Sequence, residues 1–250
     1  MLPDCGVCAH RGASNTHPEN TMSAFKEAIR LGVQMVEFDV RMTADSVLVI
    51  IHDKTLDRIT NVQGYVHEKT ISELQSLDAG FWKDSIFSNE KIPLFSEVID
   101  IMPRNIWLNI HIKGDLETAR RAAQIIVEKD RIHQAIFACK PEAADKIHQV
   151  SKFLLLCNMD RGNSSEEYVD STIAMKYDFI QLTSRADSNM VELVGKLKRN
   201  NIRINYYGTE STDKFKSLLN KGIDFTLTNN VNEFIEIVKE FDIKPVKPKY

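Results

Sequence analysis

Short apolar runs rich in β-branched and aromatic residues alternate along this chain with amphipathic stretches whose apolar positions recur every three to four residues. The runs at 7–10, 35–40, 106–112, 135–138, 153–157, 179–182, 202–206 and 225–228 read as strands. Helical patterns follow at 20–31, 94–102, 116–129, 141–150, 188–199, 211–220 and 231–241, with a less regular one between Asn163 and Met175. Strands that alternate with crossover helices predict a parallel sheet covered by helices. Eight such units predict a (β/α)8 TIM barrel occupying the whole chain, 1–250, as one domain.

The rhythm breaks between about 41 and 91. Residues 46–51 are strand-like, but the turn separating them from the second strand is too short for a crossover helix, so a hairpin is expected. Residues 70–77 read as a small helix, with Thr70 and Glu73 in capping-box spacing. The segment is therefore an expected insertion at the C-terminal mouth of the barrel, between the second strand and its helix. Phe81 and Trp82 follow Gly80 there, and either roof a substrate pocket or anchor the insertion.

Composition narrows the function classes. Apolar residues make up 43% of the 250 positions and charged ones 27%, ordinary for a soluble globular protein. A chain of this length buries a sizeable core without disulfide or metal staples. A net charge of -3 and the lack of basic-aromatic stripes argue against a nucleic-acid partner. No run approaches the roughly 20 apolar residues of a membrane helix, so no integral membrane segment is expected. Asp4 and a polar block follow the first residue at once, unlike a signal peptide. That favours a cytoplasmic setting, although a processed secreted or periplasmic protein would read the same. The basic run at 244–249 reads as a frayed tail. Cys5 and Cys8 have redox or zinc spacing but no second pair nearby, and the four cysteines read as structural thiols.

The candidate chemistry is concentrated near the start. Glu37 and Asp39 lie two apart on a strand and so share one face, leaving Val36, Phe38 and Val40 for the helices. Two hard oxygen ligands on one face can hold a divalent cation, and His10 and His52 can move protons near neutral pH. By the same alternation Asn109, His111 and Lys113 face inward. In such barrels chemistry sits at the C-terminal strand ends, where these residues and Arg11 would converge. An internal ion-pair network is the competing account, but unpaired buried charges each cost several kcal/mol, so convergence favours a site. Asn20 or Thr21 can cap the helix that follows, and Glu19 can reach Arg11.

The ordered blocks His10-Arg11-Gly12, Pro18-Glu19-Asn20-Thr21, Glu37-Phe38-Asp39-Val40 and Ile50-Ile51-His52-Asp53 resemble those of the glycerophosphodiester phosphodiesterases. Thr55-Leu56-Asp57-Arg58, Leu77-Asp78-Ala79-Gly80, Ile92-Pro93-Leu94 and Leu108-Asn109-Ile110 continue the likeness, which fades after about Lys113. The resemblance implies a barrel with a small insertion in the same place. It also implies metal-dependent cleavage of a small-molecule glycerophosphodiester to glycerol 3-phosphate and an alcohol. One divalent ion, Mg²⁺ or Ca²⁺, would sit on Glu37 and Asp39. Arg11 and Lys113 would bind the phosphate, and His10 and His52 would act as general acid and base in an order left open. Asp53 would support His52.

The chain departs from the family in three places. His111 stands where the family usually has a glutamate that is the third metal ligand. Either it ligates the ion, with weaker Mg²⁺ or Ca²⁺ affinity and greater tolerance of Mn²⁺ or Zn²⁺ expected, or it contacts the substrate and the ion has two carboxylates plus water. Tyr206-Tyr207 replaces a tryptophan-threonine pair, with Tyr206 expected to keep an aromatic wall in the pocket. Asn229 replaces an aspartate that would partner substrate hydroxyls or site cations. Two alternatives stay open: a lyase or phospholipase-D-like reaction forming a cyclic phosphate, and a catalytically impaired phosphoester-binding homologue.

Overall fold

Alternation along the second strand decides which way the barrel faces. In a computed structural model, which describes residues 1–162 and 164–250, Val36, Phe38 and Val40 pack outward into the main apolar core while Glu37 and Asp39 line the barrel mouth. The first units are β1 (Gly6–His10), α1 (Met22–Leu31), β2 (Met35–Met42), the hairpin strand β3 (Leu48–Ile50), the short α2 (Ile71–Ser76) and α3 (Phe95–Ile101). Then come β4 (Trp107–Ile112), α4 (Leu116–Glu128), β5 (Ala135–Cys139), α5 (Pro141–Val150), β6 (Leu155–Asn158) and α6 (Ser165–Ala174). The chain continues through β7 (Phe179–Leu182), α7 (Met190–Arg199), β8 (Arg203–Tyr207), α8 (Thr212–Asn220), β9 (Phe225–Thr228) and α9 (Val231–Ile237).

The parallel strands run in the order β1-β9-β8-β7-β6-β5-β4-β2, and β2 pairs back onto β1, closing the expected TIM barrel. β3 lies antiparallel to the far end of β2, outside the ring, as the short turn required. The pattern starting at Asn163 resolves into α6; Asn163 itself lies outside the described residues. The final helical stretch divides into α9 and a 3₁₀ turn over Val238–Phe241.

Burial explains why the chemistry is confined to one end. Phe38 packs between Phe25 and Phe95, with ring centroids 5.8 and 6.2 Å away. Each ring so buried stabilises the fold by roughly 2–3 kcal/mol. Inside the barrel, Cys8, Met35, Trp107, Phe179 and Phe225 form an apolar plug. The insertion has a small core of its own, with Val49, Leu56, Val66, Leu74 and Ile92. Its short helix carries the expected capping box, Thr70 with Glu73.

The C-terminal tail is not frayed, contrary to its basic composition. Val246 N–H donates to the Gly32 carbonyl at 2.7 Å, and Lys249 N–H to Asn105 Oδ1 at 2.9 Å. Ile243 and Val246 pack against the core while Lys244, Lys247 and Lys249 stay exposed. Apolar anchors and backbone hydrogen bonds outweigh the charge of the intervening lysines. The four cysteines are unpaired, three of them buried.

Candidate active site

The site begins with a turn that only glycine permits. Arg11 and Gly12 both take left-handed backbone conformations, with φ of 59° and 78°. A Cβ at Gly12 would lie 2.8 Å from the Ala24 carbonyl carbon. This tight exit from β1 directs the Arg11 backbone N–H onto Glu37 Oε2 at 3.0 Å. The Arg11 guanidinium donates to Glu19 at 2.8 Å and lies 3.3 Å from Asp39 Oδ2.

The two histidines are held differently. His10 Nδ1 lies 2.8 Å from Asn229 Oδ1. An amide oxygen only accepts, so the ring donates from Nδ1; Nε2 lies 4.0 Å from Glu37 Oε2 and is the nitrogen that holds the lone pair when the ring is neutral. His52 Nδ1 instead meets a carboxylate, Asp53 Oδ1, at 2.6 Å. Arg58 donates to Asp53 at 2.6 Å and to both oxygens of Glu19, at 2.9 and 2.6 Å. A charged chain thus runs from Arg11 through Glu19, Arg58 and Asp53 to His52. The Arg41 guanidinium donates to the His52 carbonyl at 2.8–2.9 Å and to the Lys113 carbonyl at 2.8 Å, tying the insertion to the end of β4.

β2 and β4 place the remaining groups side by side, with Asp39 in register with His111. His111 Nδ1 lies 3.6 Å from Glu37 Oε1 and 3.4 Å from Asp39 Oδ1, and Lys113 Nζ is 3.7 Å from Asp39 Oδ1. A divalent ion about 2.0–2.4 Å from each of three donors requires the donors to be about 3–3.6 Å apart. Asp39 Oδ1 is moreover buried without a hydrogen-bond partner, and Glu37, Asp39 and His111 offer donor atoms all within 4.8 Å of one another. The residues present therefore fit a divalent cation.

Electrostatics keep Glu37 and Asp53 charged. Burial by itself would raise Glu37, but the hydrogen bond with His111 and the charges of His10, His111 and Arg11 outweigh it and hold the carboxyl at about 2. Asp53 is likewise held at about 2, where hydrogen bonds from Arg58 and His52 overcome its desolvation. Burial lowers His52 below the ordinary histidine value, opposed by Asp39 and Asp53. Cys139 also reaches the cavity, but burial pushes its thiol up to about 12, which leaves no thiolate for nucleophilic chemistry.

His10, Arg11, Glu37, Asp39, His52, His111 and Lys113 all line one cavity of about 700 Å³. Trp82 and Tyr206 do not, and both expectations are corrected. Trp82 donates its indole N–H to the Ala79 carbonyl at 2.8 Å, and so anchors the insertion rather than roofing the pocket. Tyr206 shares the strand phase of Ile204, faces the helices, and donates its hydroxyl to Asp187 at 2.8 Å. Its neighbour Tyr207 faces the cavity instead, with its ring centroid 5.0 Å from that of His10.

Several contributors lacked a strong sequence signal. Asn20, assigned only as a cap, donates to Asp39 Oδ2 at 3.0 Å, while Thr21 caps α1. Arg41 continues the inward phase of Glu37 and Asp39, a signal available from the alternation. Arg58 and Asn229 offered no local clue to their partners. Glu210 accepts from the backbone N–H groups of Asn229 and Asn230 at 3.1 and 3.2 Å, which fixes the segment that holds His10.

Comparison with known proteins places the chain in a family. Residues 10–148, more than half of the chain, match the model of the glycerophosphoryl diester phosphodiesterase family. The Bacillus subtilis protein YhdW is 44% identical over 108 residues, which span 43% of this chain and 44% of that protein. A glycerophosphodiester phosphodiesterase of Caldanaerobacter subterraneus is 28% identical over 242 residues, covering 94% of this chain and 98% of its own length. Among solved structures, an Oleispira antarctica phosphodiesterase in complex with the product sn-glycerol 3-phosphate superposes with a TM-score of 0.82 at 22% identity, covering 95% of this chain and 97% of that one, a likeness of fold. The chain belongs to the glycerophosphoryl diester phosphodiesterase family and is a phosphoric diester hydrolase.

Proposed function

We propose that this chain hydrolyses a small glycerophosphodiester to glycerol 3-phosphate and an alcohol, using one divalent ion and two histidines. The observation that carries the reading is a single cavity in which a Glu37, Asp39 and His111 donor set lies beside two histidines with different Nδ1 partners. Glu37, Asp39 and His111 would hold the ion, which would supply Lewis-acid polarisation of a phosphoryl oxygen and a binding point for a substrate hydroxyl. Arg11 and Lys113 stabilise negative charge as it develops on the phosphoryl oxygens.

The partners of the two imidazoles suggest their roles. His10 has its proton fixed on Nδ1 by a neutral amide and a bare Nε2 beside Glu37, which suits a general base toward the nucleophile. His52 is backed by the Asp53 carboxylate, which stabilises its imidazolium, while burial weakens its hold on the proton. That combination suits a general acid toward the leaving alkoxide.

The test is glycerol 3-phosphate release from glycerophosphoethanolamine after chelation and re-addition of Mg²⁺, Ca²⁺, Mn²⁺ or Zn²⁺ singly. Activity should vanish on chelation and return, with the transition ions effective at lower concentration because His111 offers nitrogen in place of a carboxylate oxygen. No release with any ion would reject the reading. Asn229→Asp tests the assignment of the base. A carboxylate beside His10 Nδ1 favours the imidazolium, and a base must be unprotonated. The acidic limb of the kcat/KM profile should therefore move up by about one pH unit. An unmoved limb would count against His10 in that role.

A further inference from the structure

The cavity extends past the reacting groups, and its far wall carries charge that the reaction described above leaves unused. The candidate metal ligands, the phosphate-binding residues and both histidines come from β1, β2, the insertion and β4. In the closed order of strands, β5 and β6 are the next two after β4. Lys140 follows β5, Arg161 lies just beyond β6, and both line the same cavity. Lys140 stands at the start of α5 and makes no capping bond with its side chain. The Arg161 Nε is shielded from solvent and meets no acceptor among the described residues.

Two carboxylates lie nearby, and they are held differently. Asp115 also lines the cavity, but its Oδ1 accepts from the backbone N–H and the hydroxyl of Thr118 at 2.9 and 2.8 Å, and so is committed to capping α4. Glu142 is the remaining acid on this side. Lys140 and Arg161 therefore share the end of the cavity away from Glu37 and Asp39 with two carboxylates, of which Asp115 is tied into the α4 cap.

Resting on the proposed phosphodiesterase reading, the geometry points to Lys140 and Arg161 as a leaving-group subsite for an alcohol that bears a carboxylate. Glu142 is placed on the same wall to accept an ammonium group on that alcohol. An amino-acid head group of the serine type supplies both charges. The ethanolamine compound differs from it only by the missing carboxylate.

The discriminating experiment compares kcat/KM for glycerophosphoserine and glycerophosphoethanolamine on the metal-reconstituted chain. The serine compound should be preferred by about tenfold or more, chiefly through a lower KM, as expected for one well-formed charge-assisted contact. In the Lys140→Met, Arg161→Gln double variant the ratio should fall to about one. A wild-type ratio of one or less would overturn this subsite while leaving phosphodiester hydrolysis in place. A preference that survives the double variant would overturn its assignment to these two residues. No hydrolysis of either compound with any ion would reject the proposed activity itself, and the subsite with it.

Discussion

His10→Ala is expected to lower kcat for glycerophosphodiesters by ~100- to 10,000-fold, the usual contribution of one positioned proton-transfer group. The side chain is nearly buried, anchored through Nδ1 to Asn229 and in tilted contact with the Tyr207 ring, with Nε2 turned toward Glu37. With the imidazole removed, water would take the place of the base. His10 is not one of the three grouped metal donors, and the variant should bind the divalent ion as the parent does. His52→Ala should show a loss of similar size with one difference. A substrate with an activated leaving group, such as a nitrophenyl ester, needs no general acid and should restore much of the rate to His52→Ala but little to His10→Ala. A kcat within tenfold of the parent for His10→Ala would sink the role. Equal rescue of both variants would sink the division of labour between them.

Asp39→Asn should abolish both metal binding and activity, because this carboxylate meets a candidate metal ligand and both candidate phosphate-binding cations. It lies 3.3 Å from the Arg11 guanidinium, 3.4 Å from His111 Nδ1 and 3.7 Å from Lys113 Nζ, and accepts from the Asn20 amide. The substitution keeps the shape but leaves the half-buried Lys113 facing a neutral amide and Arg11 with Glu19 as its remaining carboxylate partner. Removing one partner of a buried charge group costs about 3–5 kcal/mol. A lower melting temperature for the metal-free protein is therefore expected alongside loss of ion binding by calorimetric titration. Retained stoichiometric ion binding would remove Asp39 from the ligand set. Acid should act on the neighbouring ligand in a defined window. The folded Glu37 carboxyl sits at about 2 against an ordinary 4.5. Its contribution to stability is thus complete above 4.5 and is lost as pH falls from there toward 2.

Tyr206 shows how finely the sequence already spoke. Ile202, Ile204 and Tyr206 share one phase of the strand, so the apolar pair indicates that Tyr206 faces the helices and that Tyr207 is left for the cavity. Extending the same rule from Glu37 and Asp39 to Arg41 would have found the guanidinium that ties His52 to β4. In both cases the information was local and the parity only had to be followed one step further.

What the sequence by itself determined was whatever depends on periodicity over a few residues. The alternation of strand and helix specifies the barrel, the short turn after the second strand specifies a hairpin, and period two puts Glu37 with Asp39 and His111 with Lys113 on one face. Backbone geometry alone enforces those relations. The tertiary structure decided whatever depends on where separate loops come to rest. His10 meets Asn229 across 219 positions only because β9 closes the ring beside β1. Arg58 reaches Glu19 and Asp53 only because the insertion folds over the first loop. The basic tail is pinned by carbonyl and amide groups that no composition reveals. Such contacts are set by loop paths and ring closure, which no short-range pattern encodes.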